Sequence, residues 1–167
     1  GKVVGLETGD PKGFKNYAEL YEAFLKQLNH IVETKVRVSN YIDRMFAKYA
    51  PAPFLSVVIE DCISKGRDYY DGGPRYNTNY IQCTGLGTTT DSLAALKKHV
   101  FEDKTFDMKK VLSAVSNNFE GDEFLRQTIL NKTPFFGNDD DFADDIALQV
   151  YADLLAAIDG KPNVKGE

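Results

Sequence analysis

Residues 67–87, RDYYDGGPRYNTNYIQCTGLG, limit the possible fold more than any other stretch of this chain. On both sides apolar residues recur at helical intervals, and within it they do not. Gly72-Gly73-Pro74 and Gly85-Leu86-Gly87 bracket a run from Arg75 to Thr84, and this punctuation predicts a strand. A strand carries backbone donors and acceptors along both edges, and a single one has nothing to satisfy them. Its faces would be Tyr76, Thr78, Tyr80 and Gln82 against Asn77, Asn79, Ile81 and Cys83. Neither is the Val/Ile run of a parallel strand buried on both sides. A chain that is otherwise helical, with one unpartnered strand, is expected to be part of a larger sheet or barrel.

Asn16 and Glu19 have capping-box spacing ahead of Leu20, Phe24, Leu28 and Ile31, and Ile42, Met45, Phe46 and Tyr49 extend the stripe. β-Branched residues gather from Thr34 to Ser39, so one long helix or two with a bend would fit. Pro51 and Pro53 end this run, and a second helix is expected over about Phe54 to Ser64, stopped at Gly66. Thr88 to Asp91 opens a helix with Leu93, Leu96 and Val100 on its apolar face. Helices over Met108 to Asn117 and Asp122 to Asn131 flank Gly121. The last helix starts at Asn138 and three aspartates, buries Phe142, Ile146, Val150, Leu154 and Ile158, and closes at Gly160 and Pro162. The fold class expected is mainly α with one or few strands. The chain forms one segment, with a helical part at 1–66, a glycine-rich strand segment at 67–87 and a helical part at 88–167.

Composition excludes several classes. A hydrophobic share of 43% and a charged share of 27% resemble an ordinary soluble domain, not a disordered chain. No apolar run approaches the roughly 18 residues of a membrane span. Gly1-Lys2-Val3-Val4 resembles no signal peptide, and without an initiator Met the start is expected to be processed or cut from something longer. Twenty-five acids against 20 bases give a charge of −5, which argues against nucleic-acid binding. Two cysteines are too few for a disulfide scaffold or a zinc site, so a reducing cytoplasm is the expected home.

Each chemical candidate has a plainer explanation. Gly85-Leu86-Gly87 before a helix suggests anion binding, but it lacks both the third glycine of a dinucleotide fingerprint and a following Gly-Lys-Ser/Thr. The acids from Asp139 to Asp145 suggest calcium, yet counting from Asp139 puts Asp144 at the sixth place and Val150 at the twelfth, where an EF-hand needs Gly and Glu. They are expected to cap and solvate a helix. Cys83 at a strand end is read as a small buried hydrophobe, because spacing places neither His30 nor His99 beside it. Cys62, Glu60, Asp61, Tyr69 and Tyr70 have no distinguishing neighbours. No residue is assigned a catalytic, cofactor-binding or metal-ligating role.

Three stretches together resemble the glycyl-radical enzyme family. They are Leu6-Glu7-Thr8-Gly9-Asp10-Pro11; the run from Asp61-Cys62-Ile63 through Gly72-Gly73-Pro74-Arg75-Tyr76-Asn77-Thr78-Asn79-Tyr80-Ile81-Gln82 to Thr90-Asp91-Ser92-Leu93; and Thr133-Pro134 through Phe136-Gly137-Asn138-Asp139-Asp140-Asp141. The resemblance covers essentially the whole chain and looks closer to the dehydratase branches, including hydroxyproline dehydratase, than to pyruvate formate-lyase proper. It implies a ten-stranded α/β barrel, a thiyl cysteine preceded by Gly and followed by Val-Glu, and a radical glycine in an Arg-Val-x-Gly-Tyr-like setting. It also implies a radical-SAM activating enzyme, a small polar substrate and a homo-oligomeric parent. Neither radical motif occurs here: Gly1 would fall after the cysteine loop and Glu167 before the glycyl loop. The chain is thus expected to be a structural segment, its partner the remainder of the barrel, without turnover alone. The alternative is a stand-alone helical interaction module derived from that barrel.

Overall fold

The structure is a computed structural model that describes residues 4–165. It is mainly helical: α1 (Tyr17–Tyr49), α2 (Pro53–Ser56), α3 (Glu60–Lys65), α4 (Leu86–Leu96), α5 (Met108–Ser116), α6 (Glu123–Lys132) and α7 (Asp141–Ile158). A π-helical stretch, Lys97–Glu102, continues α4 directly. None of the described helices is long and apolar enough to cross a membrane.

α1 is a single helix of 33 residues, roughly 50 Å long at ~1.5 Å per residue. The β-branched run at its middle does not divide it. Its start follows the expected capping logic with one change. Asn16 Oδ1 accepts the Glu19 amide at 3.0 Å, but the Glu19 carboxylate reaches past the Asn16 backbone to the Lys15 amide at 2.8 Å. The Leu6-to-Pro11 stretch is tied to the same helix: the Leu6 amide donates to Gln27 Oε1 at 3.1 Å, and Gln27 Nε2 donates to Leu6 O at 2.7 Å.

The chain forms two compact units. Unit 1 combines the residues up to Asn29 with Cys83–Ala157, and unit 2 combines His30–Gln82 with the residues from Ile158 onward. Unit 1 holds two apolar clusters. Tyr21, Leu93, Ala94, Ile146 and Val150 form one; Val111, Ala114 and Leu125 form the other. Tyr21 brings its hydroxyl into that interior and donates it to Asp153 Oδ2 at 2.7 Å. Burial then pushes the Tyr21 phenol well above its ordinary range, with the Asp153 carboxylate adding to the effect. In unit 2 the hydrophobic residues that become buried, among those described, are Val32 and Cys62.

Two sequence expectations need correction. The helix from Phe54 to Ser64 is broken into α2 and α3 around Val57–Ile59, where three β-branched residues in succession disfavour continuation. Gly66 does end α3, in the left-handed conformation with φ 59°. The strand at Arg75 to Thr84 does not form, and no strand occurs among the described residues. With no strand among the described residues to pair with, the segment takes no regular structure, and asparagine side chains bond its backbone instead. Asn77 Nδ2 donates to Pro74 O at 2.8 Å, and Asn163 Nδ2 donates to Asn77 O at 2.6 Å. The helices of unit 1 lie within about three residues of expectation; along α7 Ile146 and Val150 are buried and Phe142 packs against their cluster, but Leu154 and Ile158 are only half-buried.

Candidate functional site

The glycine-rich stretch is organised by one carboxylate. Asp68 accepts the Ala52 amide at 2.9 Å, the Ser56 hydroxyl at 2.8 Å and the Tyr70 amide at 2.9 Å. It thereby ties the start of α2 to the 3₁₀ turn Tyr69–Asp71. Partial burial pushes the carboxyl upward, but these donors outweigh it and hold Asp68 below the usual carboxylate range. The chain then passes through Gly72, at φ 75°, to Gly73. A Cβ on Gly73 would lie 2.4 Å from Arg67 O, 2.6 Å from Cys62 Sγ and 2.8 Å from Asp68 O, so only glycine fits. Lys65 Nζ donates to Gly73 O and Pro74 O, each at 3.0 Å. Arg75 closes the turn with a two-point pair to Asp61, Nε to Oδ2 at 3.1 Å and Nη2 to Oδ1 at 2.9 Å. That guanidinium holds the Asp61 carboxyl below its ordinary range.

Beyond the turn, Thr78 to Ile81 line a groove of about 590 Å³ with Asn40 and Asp43 of α1 and Pro162-Asn163. Asp43 Oδ2 accepts Asn79 Nδ2 at 2.7 Å and faces Lys165 Nζ at 3.6 Å. Asn40 Nδ2 donates to Pro162 O at 3.1 Å. The groove mixes amides, hydroxyls and an engaged carboxylate with the apolar side chains of Val36, Ile42, Ile81 and Ile158, a lining that could hold a small molecule with both polar and apolar groups. Among the described residues no group of three or more His, Cys, Asp or Glu is arranged to hold a metal ion.

The sequence candidates fall as follows. Cys62 is buried beneath Gly73, whereas Cys83 is exposed, which corrects its reading as a buried hydrophobe. Glu60 starts α3, Asp61 is absorbed by Arg75, and Tyr69 and Tyr70 pack edge to face at 5.3 Å. Gly85, at φ 90°, caps α4. Asp140 Oδ1 accepts the Phe142 amide at 3.0 Å and caps α7. His99 lies buried in the π-helical stretch, 2.9 Å from Thr133 Oγ1 in a hydrogen bond. His30 is half-buried in unit 2. Sequence reasoning missed Asp68 and the Asp43–Asn79–Lys165 cluster. Asp68 two residues before the Tyr70 amide it accepts is an Asx pattern visible in the sequence; no local signal links Asp43 to Asn79 or Lys165.

The model of the Pyruvate formate lyase-like family matches residues 1–167. Trans-4-hydroxy-L-proline dehydratase of Clostridioides difficile is 47% identical over 99% of this chain and 21% of its own length. The crystal structure of the hydroxyproline dehydratase from Clostridioides difficile, with trans-4-hydroxy-L-proline bound, superposes with a TM-score of 0.93 at 48% identity, over 97% of this chain and 20% of that one. The glycerol-bound B12-independent glycerol dehydratase from Clostridium butyricum gives 0.91 at 32% identity, over 99% and 21%. The chain spans about a fifth of the length of the curated relatives it matches. Along its whole length, then, this chain belongs to the pyruvate formate lyase-like family, that of the glycyl-radical enzymes.

Proposed function

We propose that the chain is a wall segment of a cytoplasmic glycyl-radical dehydratase or lyase of the hydroxyproline dehydratase kind, acting on a small polar substrate. The high identity to a hydroxyproline dehydratase over nearly every residue carries this reading. The chain does not fit the role of radical carrier. Cys62 is followed by Ile63-Ser64 and Cys83 by Thr84-Gly85, neither the Val-Glu of a thiyl cysteine. Cys62 is also packed against backbone under Gly73. Thiyl-radical hydrogen abstraction, and the glycyl radical that a radical-SAM activating enzyme installs, belong in this reading to the rest of a parent barrel, which assembles as a homo-oligomer. The contribution of residues 61–82 is a polar turn held by Asp68 and a strip in which the Arg75 and Asn79 side chains are already oriented by Asp61 and Asp43.

The test has two arms. The coding frame is extended in both directions, with the expectation of a Gly-Cys-x-x motif upstream and a glycyl-loop motif downstream. In parallel, the 167-residue chain is incubated anaerobically with a radical-SAM activating enzyme and examined by electron paramagnetic resonance. No glycyl doublet is expected from it. A doublet on this chain, or stop codons near both ends, would overturn the assignment, the second outcome favouring a stand-alone helical module.

A further inference from the structure

Unit 2 is built the wrong way round for a free-standing body. Both apolar clusters of the described residues belong to unit 1. In unit 2 the helix that should supply a core instead exposes its stripe: Val38, Ile42, Met45 and Tyr49, at intervals of four, three and four, are all solvent-exposed. Phe54 at 90% and Val58 at 74% exposure are two further uncovered apolar side chains of unit 2. The contacts that join residues 52–75 are mainly polar, namely those of Asp68, Lys65 and Arg75 described above, and α1 adds one aromatic contact, Phe46 on Tyr70 at 5.3 Å. An apolar stripe left uncovered along a helix marks a face made for covering.

The edge of the face carries charge. Arg37, Arg44 and Lys48 succeed one another at intervals of seven and four, which places them along one flank of the stripe beside Tyr41. All three are exposed, and among the described residues none has a carboxylate within ion-pair distance. In an antiparallel two-fold pairing of α1 with a second copy, like flanks meet, so this basic rim would oppose itself.

We propose that the apolar face of α1 from Val38 to Tyr49, with Phe54 and Val58, seats a segment of the parent polypeptide lying outside residues 1–167, apolar along its centre and acidic along the side that meets Arg37, Arg44 and Lys48. The inference rests on the wall-segment reading and extends it: the curated relatives have roughly four-fifths of their length beyond the matched portion, ample chain to supply the cover. Self-association is the competing occupant, and the charge arrangement argues against it.

Hydrogen exchange over residues 38–58, in the isolated chain and in the full-length polypeptide that the extended frame encodes, tests the proposal, together with sedimentation of the isolated chain. The isolated chain is expected to stay monomeric and exchange fast across 38–58, and the full-length protein to exchange ~100-fold or more slowly there. In the full-length protein Met45→Asp and Arg44→Glu should each restore fast exchange, while Lys109→Glu, exposed in unit 1, should not. Equal exchange rates in the two forms, or unchanged protection in both variants, would overturn the proposal and leave the family reading intact. Protection that arises by dimerisation of the isolated chain would overturn it in favour of a second copy. A frame closed at both ends would remove the proposed occupant and the wall-segment reading together.

Discussion

Cys62 lies directly beneath Gly73, so near that a Cβ at position 73 would come within 2.6 Å of the sulfur. The same Cβ would meet the carbonyl oxygens of Arg67 and Asp68 at 2.4 and 2.8 Å. A thiol can rotate away; two backbone carbonyls cannot. Gly73→Ala is therefore expected to destabilise unit 2 by ~1–3 kcal/mol, as overpacking does. Adding Cys62→Ala should leave most of that loss in place. Hydrogen exchange over residues 60–75 in the single and double variants reads both effects, and full rescue by the second substitution would refute the steric account.

Asp68 makes unit 2 acid-sensitive. Its folded carboxyl sits below the ordinary value because three donors favour the charged form. The unfolded chain then binds the proton more readily, so stability rises with pH. The contribution is complete above about pH 4, the unfolded value, and disappears as pH falls through the folded one. Asp68→Asn should weaken exchange protection of 52–71 at neutral pH, by ~1–3 kcal/mol for the unpaired donors, and should flatten the acid dependence there. An unchanged acid profile in the variant would assign the effect elsewhere.

His99 does the same for unit 1 at milder pH. Burial lowers its pKa first, Lys98 and Lys132 push the same way, and Asp103 opposes them. Neutral histidine is thus favoured in the fold, and the unfolded chain takes up the proton first as pH falls. Stability is full above about pH 6.5 and declines as pH drops through the folded value. Thermal melts should show a fall in Tm between about pH 7 and pH 5 that His99→Gln abolishes. A pH-independent melt of the unsubstituted chain over that range would contradict this.

The aspartates before α7 are unequal. Asp140 alone among Asp139, Asp140 and Asp141 accepts a helical amide, that of Phe142. Asp140→Ala is expected to cost ~0.5–2 kcal/mol, and Asp140→Asn almost nothing, since both residues cap well. Calcium at micromolar concentration should leave the melting temperature where it was; a rise that grows with calcium would reveal a bound ion.

Periodicity made α5, α6 and α7 readable because each closes over a stripe such as Phe142, Ile146 and Val150 that meets a partner in unit 1. The same rule misjudged α1. Leu20 and Phe24 pack into a cluster, but Ile42 and Met45 continue the pattern into solvent, because periodicity registers an apolar face and not what covers it. Arg75 to Thr84 failed for a related reason: strand propensity needs a neighbouring strand, and without one Asn77 and Asn79 bind Asn163, Pro74 and Asp43 instead. Of the candidate site, Gly72-Gly73-Pro74-Arg75 was legible as a turn. Of the carboxylates, Asp68 left an Asx signal, but Asp61 acts on Arg75 14 positions away and Asp43 on Asn79 36 positions away, and no local pattern marks either.

The hydroxyl of Tyr21 and the carboxylate of Asp153 stand 132 positions apart in the sequence. On a ribosome adding ~5–20 residues per second, roughly 7–26 seconds separate the synthesis of the two. In the later part of that interval α1 is complete and outside the ribosome, while Ile146 and Val150, which complete its cluster, have yet to be made. The nascent chain therefore shows an apolar helix before the cluster that covers its first half can close, and a chaperone that binds exposed aliphatic and aromatic side chains would find a foothold there.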